Sequence, residues 1–393
     1  MKTNLLIYIT SLISVALSIS PLITIAIRKR LFDAPSEDRK IHKRIVPNLG
    51  GLAIFSGFLF SLAIFIDLST LKVANYLLSG GIVIFMIGLK DDIIGVDPMK
   101  KFIAQFIAAF IITIMADVRL MDLGGFMGVY ELSYPFSIAL SVLTIVGVVN
   151  AYNLIDGIDG LSGTLGLIFS LVYAYLFFIA GELGWTSVCL ALAGSLTGFL
   201  IHNISPARIF MGDCGSLMVG FLAAVLSIQF INTSSGNIID LGFTSITSAP
   251  ALAMAIVILP LFDTLRVFAI RIVNNQSPFK ADRNHLHHRM LALGLTHMQA
   301  TAVLSVVAAI FIATALVFQS VGSNQLVGIL IFMIILLNTA LSIYLFSRKI
   351  SLKEELLDES PQFNESVKLP MIAKVEDDSK TFAEKILDKV SKN

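Results

Sequence analysis

The stretch Gly215-Ser-Leu-Met-Val-Gly-Phe-Leu-Ala-Ala-Val-Leu-Ser-Ile-Gln-Phe-Ile231 contains no charged side chain. Its apolar residues are continuous rather than alternating. That excludes a barrel strand and predicts a helix in lipid, where about 20 mostly apolar residues cross the hydrocarbon. Working outward, ten more stretches of this kind occupy 4–27, 49–66, 73–89, 102–119, 134–150, 162–180, 185–201, 248–270, 299–319 and 324–346. The predicted fold is all-α, a polytopic membrane protein with about eleven transmembrane helices.

Composition points the same way. Of 393 residues, 56% are hydrophobic and 14% charged, against roughly 25% charged in soluble domains. A disordered chain, a secreted disulfide scaffold and an ordinary cytosolic enzyme are thereby excluded. The net charge of +1 gives no global field for nucleic acid. Cys189 and Cys214 lie too far apart in sequence to suggest a disulfide framework or a thiolate zinc site.

Lys and Arg in short loops orient the spans. With the N-terminus outside, 16 of them fall on the inner side, from Arg28 to Arg289, and Lys2, Lys72 and Arg119 on the outer side. The first span is followed by Arg28-Lys29-Arg30 rather than a small-residue cleavage site, so it reads as a retained helix. Residues 1–350 form the predicted membrane domain. Residues 351–393 hold 17 charged residues in 43 and read as a mostly disordered cytoplasmic tail. There Phe382, Ile386 and Val390 have the spacing of a short amphipathic helix.

In this topology all six histidines face the cytoplasm, together with Asp33, Asp91, Asp92, Asp156, Asp159, Asp213, Asp263 and Asp282. An ionised side chain at mid-membrane costs about 2.5–3.5 kcal/mol on insertion scales. Several carboxylates at the inner ends of different spans therefore point to one shared site. In the first loop, Arg39, Lys40, His42, Lys43 and Arg44 form a basic group ahead of Gly50-Gly51. They serve either as a positive-inside anchor or as phosphate ligands, with the glycines letting backbone approach a ligand. Asp91 and Asp92 repel each other unless one meets a cation or holds a raised pKa; Lys100 and Lys101 follow. Asn150, Asn153, Asp156 and Asp159, if helical, share one face at i, i+3 steps, and oxygen ligands suit Mg²⁺. Asp213, before the eighth span, is an N-cap, a ligand or both. Asp282-Arg-Asn-His285-Leu-His287-His288-Arg289 matches no common zinc spacing and suits an anion better. Asp263 and Arg266 have ion-pair spacing.

Oxygen ligands for a metal beside basic groups at a lipid boundary suggest phosphoryl transfer between a lipid and a cytosolic partner. The set Arg39-Lys40-x-His42 to Pro47-x-x-Gly50-Gly51, Asp91-Asp92, Asn153-Leu-Ile-Asp156-Gly-Ile-Asp159-Gly-Leu, Phe210-Met-Gly-Asp213 and His285-x-His287-His288 resembles, in this order, the polyprenyl-phosphate N-acetylhexosamine-1-phosphate transferase family. Within it, the chain looks like the branch that transfers GlcNAc-1-phosphate from UDP-GlcNAc to undecaprenyl phosphate, releasing UMP and starting polymers such as O-antigen.

The resemblance implies Mg²⁺, with Mn²⁺ able to substitute, and Asp213 as chief metal ligand, with Asp92 and Asp156. It implies catalytic roles for Asp91, Asp92, Asp156, Asp159, His285, His287 and His288. Substrate contacts would come from Arg39, Lys40, His42, Lys43, Gly50, Gly51, Lys100, Lys101, Asn153 and Arg289. Members are often dimers, so a homodimer is among the expected partners, and the expected location is the bacterial inner membrane with the site facing the cytoplasm. His-x-His-His followed by Gly294-Leu295 resembles the GlcNAc branch. The alternatives are a sister transferase using another UDP-N-acetylhexosamine or UDP-MurNAc-pentapeptide, and more remotely an ion-coupled transporter, which would place its carboxylates nearer the midplane.

Overall fold

A computed structural model describes residues 2–29, 46–236, 238–275 and 284–358. The order is α1 (Lys2–Lys29), α2 (Gly50–Phe65), α3 (Ala74–Ile94), α4 (Pro98–Phe110, continued by a π-turn over Ile111–Met115), β1 (Asp122–Phe126), β2 (Val129–Glu131), α5 (Tyr134–Ile155), α6 (Leu161–Ile179), α7 (Leu183–Asn203) and α8 (Gly212–Gly236). There follow β3 (Ile239–Asp240), β4 (Ser245–Ile246), α9 (Ala249–Val273), the short α10 (Leu286–Ala292), α11 (His297–Val317) and α12 (Ser323–Asp358). β1–β2 and β3–β4 are small antiparallel hairpins.

Every predicted span falls on one long helix. Among the described residues, nine of these helices are long and apolar enough to cross a membrane. The other two are α2, with 16 residues, and α3, which ends in the charged run Lys90-Asp91-Asp92. The all-α polytopic architecture stands.

Three boundaries differ from expectation. α4 begins at Pro98, ahead of the predicted 102, because Asp97 caps it through Met99 N–H at 2.9 Å and proline sits at its first position. Lys100 and Lys101 therefore belong to a helical first turn, not a loop. α5 stops at Ile155, so Asp156 and Asp159 lie in the following loop and the four-residue polar face is broken after Asn153. α12 continues to Asp358, into the tail read as mostly disordered; the predicted helix around Phe382 to Val390 lies outside the described residues. The chain divides into two compact units, residues 1–339 and 340–393, and the described part of the second is the C-terminal stretch of α12.

α8 is the central helix of the first unit. It packs against α2, α3, α5, α6 and α9, and Leu217, Val219, Phe221, Leu222, Val225, Leu226, Ile228 and Phe230 are wholly buried. A helix apolar on every side suits either lipid or the core of a helix bundle, and here neighbouring helices surround it. One polar pair is satisfied inside: Tyr173 Oη and Ser227 Oγ are 2.8 Å apart.

The start of α8 is approached unusually closely. A Cβ added at Gly88 of α3 would lie 2.5 Å from Cys214 Cα, and one at Gly51 of α2 would lie 2.1 Å from Gly215 N. Gly50 and Gly51 donate their N–H groups to the carbonyls of Phe210 and Met211, at 2.9 and 2.8 Å. The approach these two glycines permit is thus of helix to chain, where the sequence suggested backbone to ligand.

Gly88→Ala should lower thermal stability in detergent, since overpacking typically costs about 1–3 kcal/mol. Gly147→Ala, where nothing lies within 4 Å, should leave the melting temperature unchanged or slightly raised. Equal behaviour of the two variants would contradict the contact.

Candidate active site

α8 opens at Gly212, whose φ of +71° is a backbone state that suits glycine. A Cβ there would also meet Asn48 O at 2.2 Å and both Asp92 carboxylate oxygens at 2.7 Å. The first amides of a helix have no intrahelical partner. Asp92, reaching from the end of α3, supplies one: its Oδ1 accepts from Asp213 N–H at 2.8 Å and its Oδ2 from Cys214 N–H at 2.9 Å. The sequence offered Asp213 as the cap and Asp92 as a metal ligand. The cap is Asp92, acting across the fold, and Asp213 is left with its side chain turned to other partners.

Those partners are Lys101 and Asn153. The Lys101 ammonium pairs with Asp213 Oδ2 and lies 2.6 Å from Asp91 Oδ2. Asn153 Nδ2 donates to Asp213 Oδ1 and to Ser216 Oγ, each at 3.0 Å. Asp91 also accepts from Val96 N–H through Oδ1 at 2.6 Å. Both its oxygens are thereby engaged, and it holds Lys101 rather than walling the cavity described next. Lys100 is exposed and makes no ion pair among the described residues. Asn150 does not join Asn153; it pairs with Gln105 of α4, Nδ2 donating to Oε1 at 2.5 Å.

Asp92, Asn153, Asp156, Asp159, Asn203, Asp213 and His297 line one cavity of about 320 Å³. The loop 156–160 brings two of these carboxylates there. It is anchored by Asn203, which accepts from Gly160 N–H and donates to Ile209 O, both at 2.8 Å. Asp159 meets His297 Nδ1 at 3.3 Å and Ala207 N–H at 3.3 Å. Asp156 makes no hydrogen bond or ion pair among the described residues. Burial first, and then the negative charges of Asp213 and Asp92, push its carboxyl up to about 8. Such a group is stabilised by an arriving cation.

No three His, Cys, Asp or Glu side chains converge as a ready metal site among the described residues. Mg²⁺ does not need three: it usually takes one or two carboxylates, waters and substrate phosphates. Asp156, unpartnered, and Asp213, on the same wall, fit that donor chemistry.

The histidine loop is fixed from α9. Asp263, 1% exposed, accepts through Oδ1 from Arg266 Nη2 at 2.8 Å and from Leu286 N–H at 3.0 Å, and its Oδ2 lies 3.0 Å from His285 Nδ1. The ion pair read from spacing is therefore part of a larger clamp, and His285 belongs to it. His287 is buried at 2% exposure with Nδ1 unpartnered. Its Nε2 sits 2.1 Å from where a Cβ of Gly157 would be. The His288 ring lies 4.2 Å from that of His287. Arg289 donates to Asn338 Oδ1 at 2.6 Å. Arg39, Lys40, His42 and Lys43 lie outside the described residues.

Sequence reasoning missed Gln105, Asn203 and His297. Gln105 sits within a stretch that reads as an ordinary span, and Asn203 is the last residue of α7, two beyond the predicted span. His297 follows Thr296, whose side chain and that of Gln299 form a capping box; that pattern marks a helix start but says nothing of a cavity.

Comparison with known proteins shows the family of the chain. The family described as glycosyl transferase family 4 matches residues 74–231, which include Asp91, Asp92, the 153–160 loop and Asp213. The probable undecaprenyl-phosphate N-acetylglucosaminyl 1-phosphate transferase of Bacillus subtilis (strain 168) is 33% identical over 318 residues, covering 80% of this chain and 84% of its own. The decaprenyl-phosphate N-acetylglucosaminephosphotransferase of Mycobacterium leprae (strain TN) is 32% identical, covering 66% and 70%. The undecaprenyl-phosphate alpha-N-acetylglucosaminyl 1-phosphate transferase of Salmonella typhi is 28% identical, covering 73% and 76%. This chain belongs to the polyprenyl-phosphate N-acetylhexosamine-1-phosphate transferase family.

Burial first, and then the His288 charge, lowers the His287 pKa from 6.5 to about 3. The unfolded chain binds this proton below about 6.5 and the folded one does not. Stability contributed by neutral His287 is therefore complete above pH 6.5 and declines as pH falls towards 3. The melting temperature of His287→Gln should fall less steeply between pH 6.5 and 5 than that of the wild type; parallel curves would contradict the buried neutral imidazole.

Proposed function

We propose that this chain transfers GlcNAc-1-phosphate from UDP-GlcNAc to undecaprenyl phosphate, giving undecaprenyl-diphosphate-GlcNAc and UMP. The observation that carries the reading is the carboxylate-walled cavity at the start of α8, with Lys101 held between Asp91 and Asp213. The names of the relatives and the His285-x-His287-His288 loop support the sugar. The excess of Lys and Arg on one side supports a site open to the cytoplasm in the bacterial cytoplasmic membrane.

In the reaction a lipid phosphate oxygen attacks the phosphorus that bears the sugar. A new P–O bond forms as the bond from that phosphorus to the bridging oxygen breaks, and UMP leaves with that oxygen. Such transfers depend mainly on positioning and charge stabilisation. Asp213 and Asp156 would hold Mg²⁺, which when bound offsets charge on the phosphates. Asn153 fixes the Asp213 rotamer. Asp92 holds the helix start on which Asp213 stands. Lys101, set by Asp91, faces the incoming lipid phosphate with a positive charge. The Asp263 clamp keeps the histidine loop against Gly157.

Purified protein in detergent should release UMP from UDP-GlcNAc only when undecaprenyl phosphate and Mg²⁺ are present, and EDTA should stop it. Asp213→Asn should lower turnover by about 10²–10³, the size of losing one preorganised charge-stabilising group. Release only from another UDP-sugar would change the assigned sugar. No release from any, with folded protein, would overturn the transferase reading.

A further inference from the structure

Among the described residues that line the cavity, four are aspartates, Asp92, Asp156, Asp159 and Asp213, and His297 is the one basic side chain. Lys101 reaches Asp213 but is not itself part of that wall. A nucleotide sugar carries a diphosphate. Entering an acid-walled cavity costs it Coulomb energy that grows as the dielectric falls, so each group on the wall that can oppose this repulsion matters.

His297 is placed to offer the nucleotide sugar a hydrogen bond at this wall. It is the first residue of α11, set by the Thr296–Gln299 capping box, with hydrogen bonds of 2.9 and 3.3 Å. Its Nδ1 lies 3.3 Å from Asp159 Oδ1, and its side chain is 43% exposed. The pairing with Asp159 uses one ring nitrogen. Nε2 has no hydrogen-bond partner among the described residues. Histidines held at one nitrogen by a carboxylate have the ring orientation and the role of the other nitrogen set by that bond. A purely structural tie between the 156–160 loop and α11 would not need this residue, because Thr301 Oγ1 already donates to Asp159 O at 2.8 Å.

We propose that His297 is a recognition residue for the nucleotide sugar. Asp159 holds the ring by Nδ1, and Nε2 makes a hydrogen bond to a polar atom of the bound UDP-sugar. This rests on the transferase reading above and adds to it a contact made from the start of α11.

Two amide variants separate recognition from support. In His297→Gln the amide reaches about as far as Nε2; in His297→Asn it reaches only as far as Nδ1. With UDP-GlcNAc, undecaprenyl phosphate and Mg²⁺, His297→Ala should raise KM for UDP-GlcNAc about tenfold, the usual worth of one hydrogen bond to a charged or polar ligand. The KM for undecaprenyl phosphate and the melting temperature should stay near wild type. His297→Gln should recover most of the loss and His297→Asn should not. An unchanged KM in His297→Ala, recovery by Asn instead of Gln, or a rise confined to the lipid KM would each overturn the proposal while leaving the transferase reading intact. A wild-type protein that releases no UMP would overturn both.

Discussion

Helix α8 begins inside the protein, and the free amides of its first turn have to find acceptors there. Unpaired backbone N–H groups away from water cost as much as lost hydrogen bonds. Asp92 meets the requirement with both carboxylate oxygens. Much of the site follows from this. α3 must end where Asp92 can reach, so Gly88 has to lie against Cys214. The turn into α8 must leave room for the carboxylate, so Gly212 takes a positive φ with no side chain. Asp213, the next residue, then emerges beside Lys101 and Asn153.

The second constraint is charge. Carboxylates from α3, α8 and the loop after α5 gather where apolar helices end. A solvated carboxylate needs no partner, but a partly enclosed one does. Lys101 answers for Asp91 and Asp213, and backbone amides answer for Asp92. His297 and Ala207 answer for Asp159. Asp156 is left, on the wall of the cavity, its carboxyl pushed up to about 8 by burial; an arriving cation would favour its charged form, and that gives the site its capacity for a cation and, through it, for phosphate.

The spans were legible because in lipid the backbone must satisfy itself within each helix, so hydropathy and length together suffice. The residue types of the site were legible for a related reason: charge at the end of an apolar helix stands out. What each charge does was less so. Asp92 reads as a ligand in sequence because its capping partner lies 121 residues away. Asp97-Pro98 does carry the signature of a helix start, yet the hydropathy of the span that follows outweighed it and left Lys101 in a loop. Asn150, Asn153, Asp156 and Asp159 share a face only while the helix lasts, and it ends at Ile155, two residues before Gly157. That ending turns Asp159 towards α11 and makes His297 its partner, a pairing that periodicity within one segment does not reveal.

On the transferase reading, the acid-walled cavity at the start of α8 receives the nucleotide sugar. An experimental structure of the protein with UDP-GlcNAc and Mg²⁺ tests it most directly. The nucleotide should lie in this cavity, with its phosphates beside Asp156 and Asp213. A nucleotide bound elsewhere on the protein, with this cavity left without it, would show that the cavity is not the nucleotide-sugar site.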